Sequence, residues 1–285
     1  MQIKHEVMVP KNSSIIIGGD FDPSTAFKLV KKHFKKWTNP KGWKPFQYEK
    51  PPMIKKTHSY VMTKKLIPDP SLRIAFNGPT TKGEPQDTFI ADILLSLLNH
   101  SASKFHKKFI TSGLTLSSGL SFHTQKHAGG LSVYASTQPE KLSKVKKMLH
   151  EEIKEWAKPN YFTKEILEDV RNQAIVGHKM ETDVPSNFTL TFAFWWAVSD
   201  LNYYKSYIPS LQKITLTEVS NFVKKWMIDK PYHESMIMSP EAAKKAGLKD
   251  TSKPLIEKHL QAFLDPSGKS KKNKSGKITP SKKGK

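Results

Sequence analysis

The sequence predicts an α+β fold: an antiparallel sheet covered by helices, gathered in one main domain. Strand-like runs come first, between residues 58 and 137, and amphipathic helical runs dominate from Pro139 to Met227. One further strand-like run, Tyr232 to Met238, follows the helices. That order indicates segregated layers, whereas regular alternation of strand and helix would indicate a doubly wound parallel sheet. With 285 residues, 37% of them hydrophobic, and with six Trp and fifteen Phe, the chain can bury a sizeable core and is not a wholly disordered one.

Each element has a local reason. Ser13-Ser14-Ile15-Ile16-Ile17 brings three β-branched residues up to Gly18-Gly19, which predicts a buried strand and a tight turn. Asp22 and Pro23 then sit where a helix N-cap and first helical residue belong. Ala26, Phe27, Val30, Phe34 and Trp37 recur at three and four residues, the period of an amphipathic helix. Residues 38–56, with Pro40, Pro45, Pro51 and Pro52 among lysines, read as an extended linker.

His58 to Asn77 reads as strands, including Leu72 to Phe76. A helix from about Asp87 points Phe89, Ile90, Ile93, Leu94, Leu97 and Leu98 inward, and a second from Ser101 stops at Gly113. Leu114 to His123 and Leu131 to Thr137 read as paired strands joined through Gly129-Gly130. Pro139 opens a long helix with Leu142, Val145, Leu149, Ile153 and Trp156 on one face, and Thr163 starts another. Phe188 to Val198 is apolar nearly all round, which predicts a helix buried on most sides. Thr215 and Glu218 form a capping box before Val219, Phe222 and Val223. Ser239-Pro240 begins a short helix ending near Gly247. The expected layout is thus 1–37, a strand and helix without partners of their own; 38–56, the linker; 57–247, the main domain; and 248–285, a short helix and a disordered Lys-rich tail.

The formal net charge is +22, but eight of the lysines lie in the last twenty residues, and only Arg73 and Arg171 are arginines. Readers of phosphate and base edges rely on the planar guanidinium, so this lysine bias speaks against a specific nucleic-acid role. Zero cysteines exclude disulfide frameworks, Cys-ligated zinc and thiol nucleophiles. Residues 1–10 lack the apolar centre of a signal peptide, and no apolar run reaches the ~20 residues of a membrane span. The expectation is a soluble chain of the cytoplasm or periplasm.

A search for catalytic constellations finds none. H-E-x-x-H and H-x-x-E-H are both missing, and His123 and His127 are two imidazoles at a strand end with no third ligand. No G-x-S-x-G, G-x-G-x-x-G or phosphate-loop lysine occurs. The most unusual local feature is Phe192-Ala193-Phe194-Trp195-Trp196 followed by Tyr203, Tyr204 and Tyr207. The Phe and Trp residues read as core between a buried helix and the sheet. The tyrosines suit either core packing or a peptide-binding wall, because Tyr joins apolar area to a hydrogen-bonding tip.

Several segments in order resemble one family. Asn12 to Pro23, with the helix ending Phe34-Lys35-Lys36-Trp37, looks like the close of the first domain of an M16 (insulinase or pitrilysin) peptidase. Ala91-Asp92-Ile93-Leu94, Ser101 to Phe105, Gly130 to Ala135, Gln138-Pro139-Glu140, Phe162 to Leu167 and Ile214 to Val219 resemble the second domain over roughly residues 57–238. The resemblance implies an M16 peptidase-like (LuxS-like metalloenzyme) fold, with extended peptides enclosed between two halves. It implies zinc in the full family unit, held by H-x-x-E-H and a downstream glutamate that lie before the strand at Ile15. This chain begins at that strand, so no cofactor is expected in it. Second domains also bring an arginine and a tyrosine toward the substrate carbonyl. Tyr134 lies on a suitable strand, yet its neighbours Ser132 and Ser136 supply no arginine. The expected role is the non-catalytic half of a zinc peptidase, binding peptide or unfolded protein through Tyr134, Tyr203 and Tyr204 and partnered by a catalytic half or a dimer mate. The rivals are a basic module acting through its tail on anionic polymers or membrane surfaces, and a hydrolase of another type.

Overall fold

Alternating residues in the strand-like runs form one five-stranded sheet. The structure, a computed structural model, describes residues 2–45 and 52–252. The strands are β1 (His58–Thr63), β2 (Ser71–Gly78), β3 (Ser117–Phe122), β4 (Gly129–Ser136) and β5 (Tyr232–Met238), in the spatial order β1-β5-β2-β4-β3. Three pairs are antiparallel: β2 with β4 (Arg73 opposite Tyr134), β2 with β5 (Ile74 opposite Glu234), and β3 with β4 (Gly119 opposite Tyr134). The α+β class holds, with one addition: β1 lies parallel to β5, with His58 opposite His233. The whole domain serves as the long crossover that a parallel pair requires.

The helices are α1 (Gln2–Glu6), α2 (Pro23–Phe34), α3 (Pro85–Asn99), α4 (Lys104–His106, continuing as a wider π turn over 107–111), α5 (Leu142–Trp156), α6 (Lys164–Thr182), α7 (Pro185–Val198), α8 (Leu201–Lys213), α9 (Leu216–Trp226) and α10 (Pro240–Lys245). Their ends follow local chemistry. Asp22, Thr163, Asp200 and Ser239 each accept a backbone N–H at an N-cap, and Thr215 and Glu218 complete their reciprocal box.

One face of the sheet is sealed. Leu72, Ile74 and Phe76 of β2, Leu131, Val133 and Ala135 of β4, and Met236 and Met238 of β5 pack with the apolar stripes of α3, α5, α6 and α9 in one buried cluster. Each such side chain contributes ~1.5–3 kcal/mol on leaving water. Polar ties hold β5 and β1 to this layer. The buried Glu234 carboxylate accepts from Ser59 (2.8 Å) and His150 (2.7 Å) and pairs with Lys146 (2.6 Å). Burial pushes Glu234 up, but the hydrogen bonds from His150, Lys146 and Ser59 outweigh it and bring its pKa to about 2. The free edge of β1 is covered where Val61 exchanges bonds with Thr251 and Thr63 donates twice to Asp250.

Three expectations are corrected. Ile15 to Ile17 is not a strand: it finds no ladder partner among the described residues, and Ile15 and Ile17 are 44% and 49% exposed. β-branching favours extended backbone, but a strand exists only where its N–H and C=O groups are paired across. The adjoining Gly18 does have a packing role, because a Cβ there would meet Thr189 Oγ1 at 2.1 Å. Second, Gly129 and Gly130 belong to β4 rather than to the turn, opposite Gly78 and Asn77. A Cβ on Gly129 would lie 1.8 Å from the Pro79 carbonyl oxygen. Third, α7 is not buried: none of its residues is enclosed, with Leu190 72% and Trp196 44% exposed. It packs beside α6 and α8, and Gly18 approaches it at Pro185 and Thr189, yet much of its apolar circumference stays exposed. The Lys-rich tail falls in 253–285 and so lies outside the described residues.

Candidate functional site

Among the described residues, the second face of the sheet carries no helix. It presents the alternate residues, half-buried or exposed: Arg73, Ala75 and Asn77 on β2, Ser132, Tyr134 and Ser136 on β4, His233, Ser235 and Ile237 on β5, and His58, Tyr60 and Met62 on β1, so it is polar over β2 and β4 and mixed toward β1. An antiparallel sheet commonly packs one face on the core and leaves the other solvated, and this sheet does so.

Its centre is a cross-strand pair. Arg73 sits opposite Tyr134, and Tyr134 lies in turn opposite Gly119. A Cβ on Gly119 would come within 2.8 Å of the Tyr134 hydroxyl, so the glycine makes room for the ring to lie across β3. Arg73 forms no ion pair among the described residues, and no hydrogen bond engages the Tyr134 hydroxyl there. Two donors therefore stand side by side on the open face. The side chain facing Tyr134 across the ladder is thus an arginine, a neighbour set by the register of β2 on β4 and not by the residues flanking Tyr134 in sequence. At the β1–β5 edge of the face, His58 and His233 stack edge-on at 5.4 Å, and burial together with the charge of His58 lowers the pKa of His233.

The other two predicted tyrosines lie elsewhere. Tyr203, 6% exposed, is core: its hydroxyl shares a 2.6 Å hydrogen bond with Thr88 and its ring stacks on Phe89 at 4.6 Å. Burial drives its phenol well above the usual range. Tyr204, one residue on, turns toward α6, where its ring meets His178 at 5.6 Å. The structure therefore does not bring Tyr134, Tyr203 and Tyr204 into one site. Among the aromatics expected in the core, Trp195 packs against Tyr203 and Tyr207, while Phe194 and Trp196 are exposed.

A family profile described as the Peptidase M16 inactive domain matches residues 2–174, more than half of the chain. The chain belongs to the M16 peptidase family. Solved structures agree on the fold. A protease from Helicobacter pylori superposes with a TM-score of 0.75 at 17% identity, over 83% of this chain and 57% of that one. The first half of the periplasmic protease PqqL from Escherichia coli gives 0.67 at 17% identity, over 90% and 58%. A peptidase M16 inactive domain from Pseudomonas fluorescens gives 0.62 at 17%, over 78% and 52%. This chain thus spans little more than half the length of each. No match is found among curated protein sequences.

As an M16 inactive domain, the chain can be tested against the zinc of the family. Among the described residues no group of three or more His, Asp or Glu is placed to hold a metal ion. His123 lies on the exposed β3–β4 loop, His150 is engaged by Glu234, and the His58–His233 pair has no carboxylate beside it. These donors do not fit a zinc centre, whose three or four ligands must converge tetrahedrally. Among the described residues no helix is long and apolar enough to cross a membrane.

Proposed function

We propose that this chain is the non-catalytic half of an M16-type peptidase, laying extended peptides across its open sheet face beside a zinc-bearing half. The observation that carries the proposal is the Arg73–Tyr134 pair at the centre of that face. A guanidinium and a phenol hydroxyl are both donors, suited to a peptide carbonyl oxygen, while Ser132, Ser136 and Asn77 around them offer exchangeable hydrogen bonds that do not select a side chain. The fit to the family supports the reading, since the resemblance implies an arginine and a tyrosine in that role. The apolar side chains left exposed on α2 and α7, among them Phe27, Phe34, Phe194 and Trp196, supply a surface for the partner half.

Binding of a fluorescein-labelled unfolded peptide tests the proposal. Arg73→Ala and Tyr134→Phe are each expected to weaken binding about 5- to 10-fold, the loss of one charge-assisted or neutral hydrogen bond, with melting temperature unchanged. Unaltered affinity in both variants would remove the open face from peptide binding. Chelator-sensitive cleavage of the peptide by the chain alone would overturn the non-catalytic assignment.

A further inference from the structure

On the helical side of the molecule, away from the open face, α6, α7 and α8 enclose a groove of about 560 Å³. Its floor is open at Gly177, where a Cβ would meet nothing within 4 Å. Its walls include the rings of Phe194, Trp195, Tyr204 and Tyr207. Among these, the Tyr204 hydroxyl is buried and has no hydrogen-bond partner among the described residues. A ligand donor in the groove would satisfy it.

The charge of the groove is equally unusual. Glu181 lines it, with one carboxylate oxygen accepting from Thr191, and no cation pairs with it among the described residues. Behind the wall, Asp92 is held by the Tyr207 hydroxyl at 2.8 Å and likewise has no cationic partner. Burial raises the pKa of Asp92 to about 6, so the carboxyl is largely ionised at neutral pH. On a chain of net charge +22, neither carboxylate is paired with a lysine among the described residues. Their field also reaches the rings, since Glu181 contributes to raising the phenols of Tyr204 and Tyr207.

We propose that this groove is a binding site for a lysine side chain carried on a peptide. The four-carbon stem would lie along Phe194 and Trp195, as long cationic side chains do on apolar walls, and the ammonium would face the ring quadrupoles. Its N–H donors would reach the free Glu181 oxygen and the unpartnered Tyr204 hydroxyl. An ammonium, a compact charge with three rotatable donors, can serve both acceptors at once. The groove is distinct from the Arg73–Tyr134 face and its occupancy does not depend on that face.

Calorimetric titration of the full chain with a blocked Gly-Gly-Lys-Gly-Gly peptide tests the assignment against the same peptide carrying norleucine. The lysine peptide should bind at least 10-fold more tightly. Glu181→Gln, which keeps the acceptor used by Thr191, should weaken it at least 10-fold. Tyr204→Phe should weaken it about 3-fold while leaving the melting temperature level or higher, and Gly177→Leu should abolish binding by filling the floor. Parity of lysine and norleucine peptides, or full affinity in Glu181→Gln, would overturn the site. Tighter binding of cadaverine than of the peptide would overturn the peptide assignment in favour of a free amine.

Discussion

Helices α2 and α9 are near twins in sequence logic and opposites in circumstance. Both are short, N-capped by a side-chain oxygen, amphipathic and lysine-rich in the last turn. Yet α9 buries Val219, Phe222 and Val223 against the sheet layer, while α2 buries none of its residues and leaves Phe27 68% exposed. An apolar stripe states a need for a partner and does not supply one. Where the partner is within the fold the stripe becomes core, and where it is not the stripe remains an open surface of the kind that marks an interface.

Matched truncations measure the contrast most strongly. Phe222→Ala should cost about 3–5 kcal/mol in urea unfolding, whereas Phe27→Ala should stay within about 0.5 kcal/mol in the isolated chain. Equal costs would show that α2 is already docked. If a zinc-bearing half covers α2, Phe27→Ala should become costly in the complex, read as a weakened dissociation constant. Glu234→Gln extends the test to polar ties of the sealed face. Because the folded-state pKa of Glu234 lies below its ordinary value of 4.5, its stabilisation is fully present above that pH and is lost as pH falls toward about 2. The variant should lose about 2 kcal/mol at pH 7, a figure moderated by the partial exposure of Lys146 and His150, and should approach the parent near pH 2.

Asp92→Asn runs the other way. The raised pKa of Asp92 means that the folded state holds its proton more tightly than the unfolded chain, so ionisation penalises folding. The penalty is nil below about 3.8, accumulates between there and about 6, and is complete above. Asparagine can still accept from Tyr207, so the variant should be more stable by about 1–2 kcal/mol at pH 8, with the advantage fading toward pH 4. An advantage that does not vary with pH would deny the burial of this charge.

Capping boxes, helix starts and most strands were readable because their causes sit within a few residues: Asp22 with Pro23, Thr215 with Glu218, and the alternation of Leu72, Ile74 and Phe76. What could not be read locally is what depends on distant segments. Ile15 to Ile17 has strand composition but no ladder, and α7 has core composition but buries none of its residues. The candidate site depends on distant segments in the same way. Tyr134 could be placed on its strand, but the arginine beside it is sixty-one positions earlier and becomes a neighbour only through the register of β2 on β4. Tyr203 and Tyr204, adjacent in sequence, part company because successive helical residues point about 100° apart.

The parallel pairing of β1 with β5 carries a kinetic consequence. Ser59 meets Glu234 across 175 positions, so a chain emerging from a ribosome presents its first sheet strand long before the mate of that strand has been made. Until then one flank of β2 is an unclosed edge, and closing it requires a loop as long as most of the domain. We therefore expect the last step of folding to be slow and sensitive to aggregation, and a chaperone to matter from the synthesis of β2 until the arrival of β5.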